Sequence, residues 1–164
     1  MTDRSLTVTW EDPMIGASAA MTMSGLDYLR AVMTGAIPPP PIMKLINFHF
    51  TTIEKGHVIF EIMPAEYHCN PMGTIHGGIA CTILDSVTGC AVHSTLPAGT
   101  GHTSLEIKVN FTRVITVKTG LLKCEGNIIH AGRQIATSEG RITDMAGNLY
   151  AHAVSTCMIF QPSK

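Results

Sequence analysis

One segment constrains the fold of this chain more than any other. Residues 74–96 hold apolar side chains around most of a helical circumference. Ile79, Ile83, Val87 and Cys90 recur at helical spacing, and Ala80, Leu84 and Ala91 widen the stripe. A helix apolar on nearly every side is a buried one, so other elements must surround it. The segment is long enough for about six turns, and Pro97 and Gly99 close it. Gly89 costs a helix roughly 1 kcal/mol and marks a position of close packing. A single charge interrupts the segment. Between Tyr67 and Leu105 the only Asp, Glu, Lys or Arg is Asp85. Without an ion-pair partner, that carboxylate is expensive to bury.

The surrounding material reads as strands. After the segment the apolar period switches to two, placing Leu105, Ile107, Val109 and Phe111 on one side. Residues 121–130, 134–143 and 149–160 form three further expected strands. Hairpin signals at Ala131-Gly132-Arg133 and at residues 144–148 separate them. Upstream, residues 42–55 and 57–64 are expected as two strands joined at Gly56, the second with Val58, Phe60 and Ile62 on one face. Residues 24–33 form a short amphipathic helix, with Ser24 as cap and Asp27 in the capping-box position. Gly35 ends it, and the proline run 38–41 forms a stiff linker. Residues 1–23 carry no clear period. The order helix, strand, strand, long helix, four strands describes an α+β chain with one antiparallel sheet wrapped around a long central helix. The expected division is an N-terminal extension over 1–41 and a single domain over 42–164.

Composition narrows the function classes. The hydrophobic fraction is 45% against 14% charged, enough for a true core and for some apolar surface hidden by self-association. A net charge of −1 favours neither nucleic acid nor an anionic membrane surface as partner. Five cysteines without a C-x-x-C pair fit a reducing compartment. The first residues lack the basic-then-apolar order of a secretory signal, and polar residues break up 75–97 as a membrane span. The expectation is a cytoplasmic protein.

The chemistry concentrates at the start of the long helix. In Asn70-Pro71-Met72-Gly73-Thr74-Ile75-His76-Gly77-Gly78 the last three residues stand at the expected first turn. Backbone N–H groups there have no intrahelical acceptor, and the helix dipole adds partial positive charge. Gly77 and Gly78 lack side chains, so a ligand can approach closely. An acyl carbonyl placed there would be polarised; one such donor lowers a barrier by about 3–4 kcal/mol. Gly-Gly also simply lets a helix start against a neighbouring strand. Asp85 follows His76 by nine residues, roughly half a turn around and about 13 Å along the axis. One helix therefore cannot bring both to one carbonyl. If they share a substrate, two copies of the chain must meet, which predicts a homodimeric site. Asp85 would serve as general base or nucleophile, or else as a mid-helix Asp in a local hydrogen bond.

The pattern N-x-x-G-x-x-H-G-G-x-x-x-x-x-x-D, from Asn70 to Asp85, resembles that of the hot-dog-fold thioesterases. The nearest group is the one named for the phenylacetate-degradation thioesterase. The resemblance continues through residues 102–113 and 130–133 and spans roughly 42–160. It implies a hot-dog fold and hydrolysis of an aryl- or medium-chain acyl-CoA. It further implies a site with Asn70, His76 and Gly77 from one subunit and Asp85 from the other. Ser104 matches the polar residue that holds the lytic water, and Thr103 could take that role if the loop differs by one residue. Asn70 would fix the loop, although Asn before Pro also forms turns for local reasons. Arg113 and Arg133 are candidates for the nucleotide phosphates of coenzyme A. The expected assembly is a homodimer with shared active sites, pairing further to a tetramer. No cofactor is expected. A metal site from His68, Cys69 and His76 is rejected, because the spacing matches no ligand pattern. Two other readings remain open: a non-catalytic acyl-CoA-binding protein and a hydratase or dehydratase on the same fold.

Overall fold

The computed structural model describes residues 3–161. Helices α1 (Pro13–Ala20), α2 (Gly25–Thr34) and α3 (Pro41–Ile46) precede strands β1 (Phe48–Glu54) and β2 (His57–Ile62). The long helix α4 (Gly77–His93) follows a 3-10 turn at Glu66–His68. Strands β3 (Gly101–Phe111), β4 (Leu122–Ala131), β5 (Ile135–Asp144) and β6 (Leu149–Phe160) complete the chain. The six strands form one antiparallel sheet in the order β1-β2-β4-β5-β6-β3. Helix α4 connects β2 near one side of the sheet to β3 at the opposite edge. This is the hot-dog architecture of the α+β class.

The sheet holds the helix at unusually short range. Gly126 of β4 and Gly140 of β5 are paired in register. A Cβ at Gly126 would overlap the Val87 carbonyl, and one at Gly140 would lie 2.9 Å from Thr88 Cγ2. The two glycines form a notch that admits the backbone of α4. Ile83, Leu84, Val87, Ala91 and Val92 are buried there, as the apolar circumference predicts. From the sheet, Val58, Phe60 and Ile62 meet the same core at 0, 1 and 2% exposure, so β2 presents the face its alternation indicates.

Four local expectations need correction. The long helix runs over Gly77–His93 rather than 74–96. At its start His76 is the N-cap, while Ile75 is held by a bridge to Cys69 and a hydrogen bond to the Ile115 carbonyl. At its end the Ser94 hydroxyl turns back to Ala91 O at 2.7 Å and accepts the Gly56 N–H at 2.7 Å. The strand expected from residue 42 starts at Phe48, because residues 41–46 form α3. Pro41 at its first position is pre-set for a helix, Met43 and Ile46 bury one face, and Asn47 stops it at φ 59°. The proline run is thus partly a helix start. Within residues 1–23, Asp12 caps α1 by accepting the Met14 N–H at 2.9 Å. Finally, β3 starts at Gly101, and a bulge between Ser104 and Glu106 disturbs the expected alternation. Leu105 and Phe111 are each 57% exposed, whereas Ile107 and Val109 pack on the core.

Helix α2 forms as expected, with the Ser24 hydroxyl accepting the Asp27 N–H at 3.2 Å and Gly35 at φ 78° ending it. Leu29 and Val32 of α2, Ile37 and Met43 join the same hydrophobic core as α4 and the sheet.

Candidate functional site

The loop before α4 is built by Asn70. Its side-chain carbonyl accepts N–H groups from Met72 at 2.9 Å and Thr74 at 3.3 Å, and its amide donates to Thr74 Oγ1 at 2.9 Å. This is the local turn role of an Asn before Pro. The turn delivers His76 as N-cap, with its backbone N–H held by the His68 carbonyl at 2.9 Å. His76 Nδ1 accepts the Gly78 N–H at 2.8 Å, so the Gly78 amide is engaged within the chain. The Gly77 N–H, at the first helical position, has no intrahelical acceptor. A Cβ on Gly77 would stand 3.3 Å from Phe111 Cζ. His76, Gly77, Phe111 and Arg113 together line a hollow of about 250 Å³.

Asp85 lies elsewhere. It is solvent-exposed in the single chain, so the cost of burying a lone carboxylate does not arise there. Ser104 Oγ donates a 2.7 Å hydrogen bond to its Oδ1. Thr103, one residue earlier on the strand, points to the opposite face, which leaves Ser104 as the partner. Asp85 and Ser104 stand at a cavity of about 350 Å³ that the Gly77 hollow does not share. Its apolar walls include Phe48, Phe50 and Phe60 of the sheet, Leu29 and Val32 of α2, and Ala17 of α1. Arg113 stands at the Gly77 hollow, with its guanidinium 5.8 Å from the Tyr150 ring centroid. Arg133 lines a third hollow with Thr95 and Phe160.

Three residues of the Asp85 cavity escaped sequence reasoning: Tyr28, His93 and His102. The His93 and His102 ring centroids are 5.4 Å apart, and Tyr28 meets His93 edge-on at 5.5 Å. One signal was available. Asp85, Gly89 and His93 recur every four residues, so they share one helix face. Burial pushes the His93 imidazole down to about 4, helped by neighbouring His102. Burial also lowers His102, against the opposing pull of Asp85. Cys90 is driven up to about 12, first by burial and then by the Asp85 charge. At neutral pH the thiol is therefore protonated and the His93 ring neutral. Among the described residues no three His, Cys, Asp or Glu side chains converge as metal ligands would.

The comparisons with known proteins agree with this architecture. The thioesterase superfamily model matches residues 72–151. A phenylacetic acid degradation-related protein of Ralstonia eutropha superposes with a TM-score of 0.73 at 26% identity, over 80% of this chain and 98% of that one. A Streptococcus mutans protein solved with acetyl CoA gives a TM-score of 0.65 at 27% identity, over 72% and 92% of the two chains. Human acyl-coenzyme A thioesterase 13 is 28% identical over 103 residues, 62% of this chain and 71% of its own.

Proposed function

We propose that this chain, a member of the thioesterase superfamily with the hot-dog fold, hydrolyses acyl-CoA thioesters at a site shared between two copies. The observation that carries the reading is the separation of two half-sites. Asp85 and Ser104 stand at one cavity, and the unpaired Gly77 N–H stands at another. Neither half is complete. Gly77 does not line the carboxylate cavity, and no carboxylate lines the Gly77 hollow.

The strand β3 suggests how the halves meet. It forms one edge of the sheet, with a free row of backbone groups and Leu105 and Phe111 exposed. Ser104, near its start, touches Asp85, while Phe111, at its end, stands beside Gly77. Two β3 strands pairing antiparallel about a two-fold axis near Ile107 and Lys108 would lay Ser104 of one copy against Phe111 of the other. That brings Asp85 beside Gly77 of the partner subunit, in an isologous interface. Further pairing of such dimers would give the tetramer.

Within this site Asp85 removes a proton from water while Ser104 fixes its carboxylate orientation. The hydroxide attacks the thioester carbon, and the Gly77 N–H at the helix N-terminus stabilises the oxyanion. The carbon–sulfur bond then breaks, and the proton held by Asp85 passes to the thiolate, giving free acid and coenzyme A. Direct attack by Asp85, forming an anhydride that water then cleaves, uses the same groups. Arg113 stands where the nucleotide phosphates would lie if coenzyme A leaves through the Gly77 hollow. The aromatic walls of the Asp85 cavity suit an aryl or medium-chain acyl group. The test is thiol release from a panel of acyl-CoA substrates. Binding without release across the panel would favour a non-catalytic acyl-CoA-binding protein instead.

A further inference from the structure

Besides Asp85 and its serine neighbours, the mostly apolar Asp85 cavity carries a second polar cluster. Tyr28, His93 and His102 meet there, contributed by α2, the end of α4 and the start of β3. Gly89 makes the cluster possible. A Cβ at that position would stand 3.1 Å from His102 Nε2 and crowd the ring, so glycine lets it lie against α4 at this range. The close packing expected at Gly89 is therefore a contact with an imidazole.

Among the described residues, no protein group hydrogen-bonds either imidazole or the Tyr28 hydroxyl. His93 Nε2 is sealed from solvent with no partner at all. Unpaired polar atoms at an apolar site cost stability, and a chain that keeps them has commonly kept them for a ligand or a reaction. The reaction proposed above does not use them, because Asp85, Ser104 and Gly77 supply its base, its orienting hydroxyl and its oxyanion donor. Two neutral imidazoles and a phenol offer both donors and acceptors without charge. Such a set suits a neutral hydroxyl or carbonyl better than a carboxylate or an amine.

We propose that Tyr28, His93 and His102 form a specificity subsite that binds a hydrogen-bonding group on the acyl chain, remote from the thioester. The ligand chemistry is an acyl-CoA whose acyl group carries a hydroxyl or carbonyl several bonds from the thioester carbon. Tyr28 comes from the N-terminal helices, outside the segment matched by the superfamily model. The subsite therefore joins one residue from outside the matched segment to two inside it, His93 and His102.

The inference takes from the thioesterase reading only the position of the thioester beside Asp85, and binding tests it separately from hydrolysis. Non-hydrolysable thioether analogues of four acyl-CoA compounds serve as probes on the full chain: phenylacetyl, 4-hydroxyphenylacetyl, octanoyl and 8-hydroxyoctanoyl. The first pair tests a ring hydroxyl and the second a chain hydroxyl. At least one hydroxylated probe is expected to bind about tenfold tighter than its plain partner, the worth of a hydrogen bond or two in a dry site. His102→Leu and His93→Leu should abolish that ratio, taken against each variant's own affinity for the plain probe. Tyr28→Phe, which removes only an oxygen and spares the packing, should reduce the ratio. Equal binding within both pairs, no binding of any probe, or a preference that survives all three variants would overturn the subsite. Hydroxyl-selective binding without thiol release from the matching thioesters would leave the subsite standing and remove the hydrolase reading.

Discussion

Ser104 Oγ lies 2.7 Å from Asp85 Oδ1 and links the edge strand β3 to the middle of α4. The bond joins the only acidic residue of the apolar segment to the strand that a second copy would pair with. It fixes the rotamer of a carboxylate that is otherwise exposed, and it leaves Oδ2 free for a water or a carbonyl carbon.

Replacing that carboxylate tests its role most directly. Asp85→Asn should lower the rate of thiol release at least about a hundredfold, as expected for loss of a general base. Because Asp85 is exposed in the chain, the melting temperature should stay within a few degrees. Undiminished turnover would remove Asp85 from the mechanism.

Ser104 and Thr103 separate by strand geometry. Ser104→Ala should cost roughly tenfold in kcat, since it deletes a hydrogen bond to a charged group. Thr103→Ala should behave as the unmodified protein, because its side chain leaves on the other face. The reverse outcome would mean that the bulge places Thr103, not Ser104, at the water.

Gly77→Pro isolates the backbone donor. Proline is favoured at the first helical position, and His76 already holds the extended φ and ψ that a following proline demands. The variant loses the N–H and keeps the helix start, and Gly77→Ala, which adds the same Cβ 3.3 Å from Phe111 Cζ but keeps the N–H, is its control. The activity of Gly77→Pro should fall about a hundredfold. Mixing it with Asp85→Asn under subunit exchange should restore about a quarter of the sites, because one of the two interfacial sites in each heterodimer regains both groups. Verified heterodimers without recovery would count against a shared site.

The glycine notch is expected to carry stability rather than chemistry. Gly126→Val would push into the Val87 carbonyl, and overpacking of this kind costs about 1–3 kcal/mol or more. Thermal unfolding should show a clear drop in melting temperature. Gly147→Ala, at φ 84° in the β5–β6 turn with open space around it, should lose less.

His93 gives the fold a pH dependence with a definite sign. Burial and His102 lower its pKa from 6.5 to about 4, so between those values the unfolded chain binds a proton that the folded chain refuses. Stability is fully present above about pH 6.5 and is lost as pH falls toward 4. His93→Leu should flatten the unfolding curve across that window. Asp85, Cys90, Tyr28 and His102 face the same cavity, so the slope should be compared at fixed substitution of one residue only.

Much of this was legible in the residues because it rests on local periods. The α4 core, the β2 face, the Ser24 cap and the hairpins at Gly132 and Gly147 follow from spacing and turn chemistry. Residues 41–46 are ambiguous in sequence because a six-residue, mostly apolar segment with one charge, Lys44, fits helix and strand alike, and the position of Pro41 decides between them. The alternation of β3 failed at its bulge, which no single-strand pattern records. Arg113 and Arg133 looked equivalent in sequence, yet they line different hollows.

The order of residues already requires a long apolar helix wrapped by a sheet, with His76 and Asp85 too far apart on it to share a carbonyl. Both follow from helical periodicity and rise, which depend on the local chain alone. It takes the folded chain to bring Ser104 to Asp85 and to gather Tyr28, His93 and His102 at one cavity. Those contacts join residues from elements far apart along the chain. Their meeting is set by where the Gly126–Gly140 notch seats α4 against the sheet.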